Sequence, residues 1–405
     1  MRFFYLLNIV LIVFVADDLK ANAWLEKQSL SLGRTTAAGF SINGKGYICG
    51  GADGTIDLKD LWQFDPVLNT WSQKADLPGD GRRELSSFAI DSFGYIGHGR
   101  TASTGEIYYS FFKYNPALNT WTSIANCPVQ RYTSTGFSLS GKGYVTCGIL
   151  PGVARYKDLY QYNPTNNTWS EKASLPDNAL NRSYACVVCL NNKAYLSGGF
   201  EGAYMNDFYE YDPTQDVWTE KQSFPGTKRA NMVGFNIGKY IVMGLGRDLN
   251  GAACQDIYQY NTQNNTWMLS MDIFPGTNTF GLASLTINKK GYVFGGSDIN
   301  STIYKKVYEY SDQELLDVRE VEKQRNKPFA ILNSSIDQSI KISSKNDGEF
   351  IFNLYDLNGK LIHNKVVDSK EEIRYSFPTE SLLTGIYIIQ LIQGLETQNE
   401  KVIIN

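Results

Sequence analysis

The most restrictive feature of this chain is a repeat built around tryptophan. Trp24, Trp71, Trp121, Trp169, Trp218 and Trp267 are separated by 47, 50, 48, 49 and 49 residues. Their surroundings repeat too. Asn-Thr-Trp begins at Asn69, Asn119, Asn167 and Asn265. An aromatic alternation precedes it: Trp62-Gln-Phe64, Phe112-Lys-Tyr114, Tyr160-Gln-Tyr162, Tyr209-Glu-Tyr211, Tyr258-Gln-Tyr260 and Tyr308-Glu-Tyr310. Before that runs an apolar stretch opened by Tyr and closed by glycine, clearest at Tyr47…Gly50-Gly51, Tyr195…Gly198-Gly199 and Tyr292…Gly295-Gly296. Tyr95…Gly97-His98-Gly99, Tyr144…Gly148 and Tyr240…Gly244-Leu245-Gly246 are looser versions. A period of this length means one small unit, stacked so that neighbours bury what a single copy cannot.

Each unit reads as four short strands. In the first, strand A covers Ala37 to Ile42, and Asn43 to Gly46 turns into strand B, Tyr47 to Cys49. A longer loop leads to strand C, Leu61 to Phe64. The turn from Asp65 to Thr70 leads to strand D around Trp71. Short alternating strands with frequent turn signals predict an all-β fold, and four strands per repeat predict a propeller blade. The paired glycines, the later Tyr and the Trp about seven residues beyond it resemble the kelch family, from about Trp24 to Tyr310. The resemblance implies a six-bladed kelch-type β-propeller, residues 24–311. The sixth unit has no Trp after Tyr310, while Trp24 is a strand D with no unit before it. The simplest closure puts the Trp24 strand into the last blade. The repeated Trp, Tyr and Gly are read as scaffold.

Strand alternation places the A–B and C–D turns on one face and the B–C and D–A loops on the other. The first set is short and uniform. The B–C loops differ in every unit (Ala52–Asp60, Arg100–Ser110, Ile149–Asp158, Phe200–Asp207, Arg247–Asp256, Ser297–Lys306) and read as a recognition face. On this face Arg34, Arg82, Arg131, Arg182 and Arg229 each lie six residues before the same strand A position, with Asn278 at that place in the sixth unit. Strand A is innermost in the family, which implies that these six residues sit near the channel mouth. They could bind an anionic ligand such as a carboxylate or sulfated sugar. Alternatively, each Arg ties the scaffold by pairing with a loop carboxylate such as Asp60, Asp158, Asp207 or Asp256. Some similar six-bladed kelch-type proteins are sialic-acid epimerases that use a channel Glu and Arg. That resemblance leaves Glu84, beside Arg82-Arg83, and Glu201, in a B–C loop, as catalytic candidates.

Composition narrows the rest. A net charge of −3 argues against a nucleic-acid or polybasic membrane binder. With His98 and His363 the only histidines, neither a multi-His metal site nor the ligand set of the copper oxidases that carry kelch blades is provided. Asp53, Gly54 and Asp57 lack calcium-loop spacing, so no metal or cofactor is expected. Cys49 and Cys147 read as core residues at the same strand B position. Cys186 and Cys189 lie on opposite faces of a strand, and mostly free thiols are expected. Met1-Arg2, the apolar run Phe3–Val15 and Ala21-Asn22-Ala23 form a secretory signal peptide, residues 1–23, cleaved before Trp24; a short membrane anchor is the alternative. The run is too short for an ordinary span, so no integral membrane protein is expected.

Residues 312–328 are charged and read as a linker. From 329 to 405 strands resume, with Asn358-Gly359 as a hairpin turn, suiting a small immunoglobulin-like β-sandwich. Asn353-Leu-Tyr-Asp-Leu-Asn-Gly-Lys360, Leu382-Leu-Thr-Gly-Ile-Tyr-Ile-Ile-Gln-Leu391 and Lys401-Val-Ile-Ile-Asn405 resemble the type A sorting domain of Bacteroidota type IX secretion. A plain adhesive sandwich is the alternative. The resemblance implies the type IX machinery as partner, and a secreted or surface-attached product. The expected function is a binding module for a glycan or protein on the B–C/D–A face. The alternative is an enzyme on acidic sugars.

Overall fold

The computed structural model describes residues 23–270, 274–276 and 279–311, and in the C-terminal part 329–334, 339–344, 349–356, 360–367, 374–378, 382, 385–393 and 396–404. The expected signal peptide (except Ala23), the charged linker, Asn278 and the Asn358-Gly359 turn lie outside them. The chain divides into two units, Met1–Gln313 and Glu314–Asn405. Every regular element among the described residues is a β-strand.

The first unit holds six four-stranded antiparallel sheets in a propeller-like arrangement. Sheet one is Ala38–Ile42, Lys45–Cys49, Leu61–Asp65 and Thr70–Lys74, strands A to D in order. The A strands of the others are Ser86–Ile90, Thr135–Leu139, Cys186–Leu190, Val233–Ile237 and Ala283–Ile287. Each A strand packs against those of the sheets before and after it, and the last packs against the first. The cycle therefore closes.

Burial follows the strand order. In sheet one, strand A alternates buried and half-buried residues, strand B is buried from Gly46 to Cys49, and strand D is exposed except for the half-buried Trp71 and Lys74. The apolar cores lie between sheets. One joins Phe40, Tyr47 and Leu61 of sheet one to Ile96 and Tyr114 of sheet two; equivalent clusters fill the other five seams. Phe40 stacks on Tyr47 at 5.1 Å, Phe88 on Tyr95 at 5.0 Å, and Phe137 on Tyr144 at 5.2 Å.

The Asn-Thr-Trp turns do more than turn. Trp121 Nε1 donates to the Ala75 carbonyl of the preceding sheet at 2.8 Å, while the Ala75 N–H donates to Asn119 Oδ1 at 2.9 Å. One residue that follows strand D of the previous sheet is thus held by both its N–H and its carbonyl. Trp71 with Asn69 holds Gln28 in this way, and Trp169 with Asn167 holds Ala125. Trp218 with Asp216 holds Ala173, so Asp serves as well as Asn; Trp267 with Asn265 grips Gln222 more loosely. The Asn or Asp stands just before strand D with φ of 53–57°, a left-handed conformation that Asn and Asp tolerate well, while the Trp is the second residue of the strand.

Ring closure follows the Trp24 expectation. Ala23–Lys27 pairs antiparallel with Val307–Ser311, Trp24 opposite Tyr310, as the fourth strand of sheet six. Trp24 packs edge-on against Phe274 at 5.0 Å and tilted on Tyr310 at 4.8 Å.

In the second unit, a three-stranded sheet (Phe329–Ser334, Ser339–Ser344, Arg374–Pro378) and a four-stranded sheet (Leu361–Val367, Phe350–Asp356, Gly385–Gln393, Glu396–Ile404) share a core. Ile340, Ile342 and Phe377 of the first meet Phe352, Leu354, Ile389 and Leu391 of the second.

Trp24→Ala should destabilise the first unit by about 3 kcal/mol, because it removes an aromatic from the closing seam. A urea melt followed by near-UV circular dichroism should show a lower midpoint with an unchanged slope. An unchanged midpoint would mean that the closing strand contributes nothing.

Candidate functional site: the loop face and channel mouth

The five repeated arginines are almost completely buried, from 0% exposed at Arg131 and Arg182 to 3% at Arg82. Four are occupied by carboxylates. Arg34 binds Asp60 through two bonds of 2.8 Å; Arg131 binds Asp158 at 2.5 and 2.7 Å. Arg182 binds Asp207 at 2.5 and 2.7 Å, and Arg229 binds Asp256 at 2.6 and 3.0 Å. Each pair ties the D–A loop to the end of the B–C loop of its own sheet. The backbone of the same arginines ties the previous sheet: Arg131 O accepts from Gly99 N at 3.1 Å, and Arg182 O from Gly148 N at 2.8 Å. The alternative that each Arg pairs with the named aspartate describes these four sites. Their guanidinium groups are not presented to a ligand. Arg82 has no aspartate; it meets Ser110 Oγ at 3.0 Å and lies 3.9 Å from the Tyr108 ring centroid. In the sixth unit the residue six before Leu285, the partner of Tyr292, is Thr279, so Asn278 was placed one residue early.

These ties also explain the glycine pattern. The second glycine of each pair has φ between 83° and 110°, and a Cβ on Gly51 would stand 2.6 Å from the Thr35 carbonyl. Only glycine fits there. The first position has φ of 51–71°, which His98, Cys147 and Leu245 also adopt. Cys147 therefore occupies the first glycine position. Cys49 is instead equivalent to Thr146 and Ser197, each the residue before the first glycine position: their hydroxyls donate to Asp158 O and Asp207 O, while Cys49 Sγ faces Lys59 O, one residue before the matching Asp60.

Two residues beyond each Arg position, the chain turns through positive φ at Thr36, Glu84, Thr133, Tyr184, Asn231 and Gly281. A file of backbone bonds links them: Thr36 N to Gly281 O, Glu84 N to Thr36 O, Thr133 N to Glu84 O, Tyr184 N to Thr133 O and Asn231 N to Tyr184 O, at 2.8–3.2 Å. These six residues rim a cavity of about 210 Å³ whose walls are the six A strands.

The frame repeats here, but the side chains do not. Glu84, 8% exposed, accepts from Tyr184 Oη at 2.8 Å and from Arg100 Nε at 2.5 Å. Burial and the Glu84 carboxylate push the Tyr184 phenol up, so it stays a donor at neutral pH. The bond to Glu84 holds Arg100 more firmly protonated, and Arg100 lies over the Tyr132 ring at 4.8 Å. Thr133 Oγ1 lines the cavity with no hydrogen-bond partner among the described residues. Glu201 stands apart from Glu84, on the Phe200–Glu201/Ala203–Tyr204 hairpin, paired with Arg155 at 3.0 Å. The B–C loops also end in exposed aliphatics: Ile56, Val153, Leu249 and Ile299.

The family model described as "Kelch motif" matches residues 33–78 and 181–225, and that described as "Secretion system C-terminal sorting domain" matches residues 336–405. The chain is a kelch-repeat protein with a type IX secretion sorting domain. That domain marks it for secretion and the cell surface. Kelch-like protein 15 of Danio rerio is 30% identical over 113 residues, which is 27% of this chain and 18% of that protein. The Homo sapiens protein of the same name is 32% identical over 100 residues, 24% and 16% of the two chains. The chain thus spans under a fifth of the length of these relatives. Among solved structures, "Structure of YjhT" superposes with a TM-score of 0.61 at 18% identity, covering 71% of this chain and 98% of that one. That likeness shows the fold alone.

In this kelch-repeat protein all six cysteines are free thiols, four of them buried. Burial pushes the Cys186 and Cys189 thiols up to about 12, the opposite of what a redox pair needs. No helix among the described residues is long and apolar enough to cross a membrane. Sequence reasoning missed Tyr184, Thr133 and Arg100. The signal that could have found them was an offset of two from a repeated Arg, or of one from the second glycine, where residue type stops repeating.

The Arg–Asp pairs predict acid sensitivity. Burial alone would raise the Asp60 and Asp256 carboxyls, but the facing guanidiniums outweigh it and hold both below the ordinary value. Their contribution is complete above the unfolded value near pH 3.9 and is lost as pH falls through the lower folded values. Asp60→Asn, which leaves Arg34 buried against a neutral amide, should cost about 3 kcal/mol at pH 7. The penalty should shrink below pH 4. Equal penalties at pH 7 and pH 3 would refute this origin.

Proposed function

We propose that this chain is an exported six-bladed β-propeller that binds a ligand on its B–C/D–A face, centred on the channel mouth. On this reading residues 1–23 are a signal peptide, and residues 329–405 form an immunoglobulin-like sandwich that engages the type IX machinery. The observation that carries the binding reading is the contrast at the mouth. A backbone frame that repeats six times displays Thr36, Glu84, Thr133, Tyr184, Asn231 and Gly281, no two alike in adjacent positions. Scaffold needs would repeat with the scaffold. A carboxylate, a phenol, an amide and hydroxyls around one opening suit a hydroxyl-rich ligand, and a glycan end is the ligand class this chemistry recognises best. The cavity is smaller than the roughly 300–1,000 Å³ of usual small-molecule sites. Only a terminal sugar would enter, with the rest lying across the loops.

A second reading rests on Glu84 itself. It is a buried carboxylate lining the cavity between a guanidinium and a phenol, which is the equipment for moving a proton at a sugar carbon. The four exposed aliphatics on the loop tips instead favour a protein ligand.

The test is thermal melting of the full chain against panels of neutral and acidic glycans. A saturable rise of the melting temperature, weakened at least tenfold in apparent affinity by Tyr184→Phe or Glu84→Gln, is the expected result. No rise with any glycan would overturn the glycan reading and leave a protein partner. Solvent-proton exchange into a bound sugar, abolished by Glu84→Gln, would replace binding by catalysis.

A further inference from the structure

Arg82 is the odd member of an otherwise uniform set. Arg34, Arg131, Arg182 and Arg229 are each buried against a bidentate aspartate. The residue at the place of that aspartate in the second sheet is Ser110, which directly precedes strand C as Asp60 and Asp158 do. Ser110 Oγ takes Nη1 at 3.0 Å, and the His98 carbonyl lies 3.5 Å from the same nitrogen. Nε is buried without a partner, as it also is in Arg34 and Arg131; what sets Arg82 apart is Nη2, which makes no hydrogen bond to a described residue, whereas Nη2 of Arg34 and Arg131 holds the aspartate. No described carboxylate lies in salt-bridge range of Arg82, although Asp80 and Glu106 act on it through space. Stacking does not replace the missing anion: Arg131 has both an aromatic lid, Tyr156 at 4.4 Å, and its aspartate.

The consequence is a buried cation with an incomplete partner set. A guanidinium removed from water needs a facing anion. Ser110 is shorter than aspartate by the carboxylate end, so the socket lacks the very group its four sisters hold. Burial pulls the Arg82 guanidinium below its usual value. At Arg131 and Arg182 burial acts in the same direction, but Asp158 and Asp207 more than offset it.

We propose that the Arg82–Ser110 socket is a binding site for an exogenous carboxylate, seated between Arg82 Nη2, Ser110 Oγ and the Tyr108 ring. The four sister sites show the geometry that such a group adopts. The ligand is a small carboxylic acid or the carboxylate end of a larger molecule. The site is distinct from the Glu84 mouth and does not rest on the glycan reading. Its test uses other residues and another probe, so either can fail alone.

The probe is sodium formate, titrated into the full chain at constant ionic strength while melting temperature is recorded. Three proteins are compared: wild type, Ser110→Asp, and Asp158→Ser, which recreates the socket in the third sheet. Ser110→Asp should melt about 2–4 °C above wild type without formate and show no formate response. Wild type should rise saturably. Asp158→Ser should melt below wild type and recover part of the loss as formate is added, more steeply than wild type. An equal formate response in wild type and Ser110→Asp would overturn the proposal, because the filled socket would then be irrelevant. A lower melting temperature for Ser110→Asp would overturn it too, since the socket could not accept a carboxylate. If Ser110→Asp does not fold, Asp158→Ser decides: no formate rescue there means that such a socket does not take free carboxylate. Equal rescue by chloride would overturn the carboxylate assignment.

Discussion

The buried arginine fork is the interaction on which the loop face depends. A propeller-like ring has no single centre; its apolar cores lie in six separate seams. The loops above those seams need their own attachment to the ring. An arginine buried at the entrance to strand A solves this at four sheets with one residue. Its fork holds the end of its own B–C loop, and its carbonyl accepts a hydrogen bond from the preceding sheet. The close backbone approach then demands glycine at φ near 90°, which is why that position never varies among the six sheets while its neighbour does.

Much of the architecture was legible. The tryptophan period, the four-strand unit and the closing strand at Trp24 are written in spacing and aromatic type. The strands of the C-terminal unit followed from alternation and turn signals. The site was less legible, and for physical reasons. Five arginines at one spacing look alike whether they face a ligand or an aspartate, because spacing does not report what stands opposite. The partner lies 25–28 residues away across a loop of varying length. Asn69 and its equivalents read as turn residues, since the turn is local and the gripped residue is more than 40 residues distant. Cys147 was aligned one residue early because an αL position can be filled by cysteine, which hides the first glycine. The same kind of slip gave Asn278 for Thr279.

Rigidity and variation are divided cleanly. The rim backbone turns through positive φ in all six sheets, five links of its hydrogen-bond file join neighbouring sheets, and it carries hydroxyl, carboxylate, phenol and amide side chains and one glycine around the cavity. That division lets a mouth change its chemistry without touching the bonds that hold the ring, as Glu84, Tyr184 and Asn231 occupy the same backbone geometry. The sorting domain brings such a surface outside the cell, where ligands would be met.

The most direct measurement is amide hydrogen exchange at the mouth. Glu84, Thr133, Tyr184 and Asn231 donate the backbone bonds that link neighbouring sheets, and Arg131 and Arg182 flank two of them. Protection of these four amides close to that of strands A and B is the expected result. It should be selectively lost at Thr133 and Tyr184 in Asp158→Asn. Exchange of the four amides in the wild type as fast as at the loop tips, such as Val153 or Leu249, would contradict a rigid, arginine-pinned mouth.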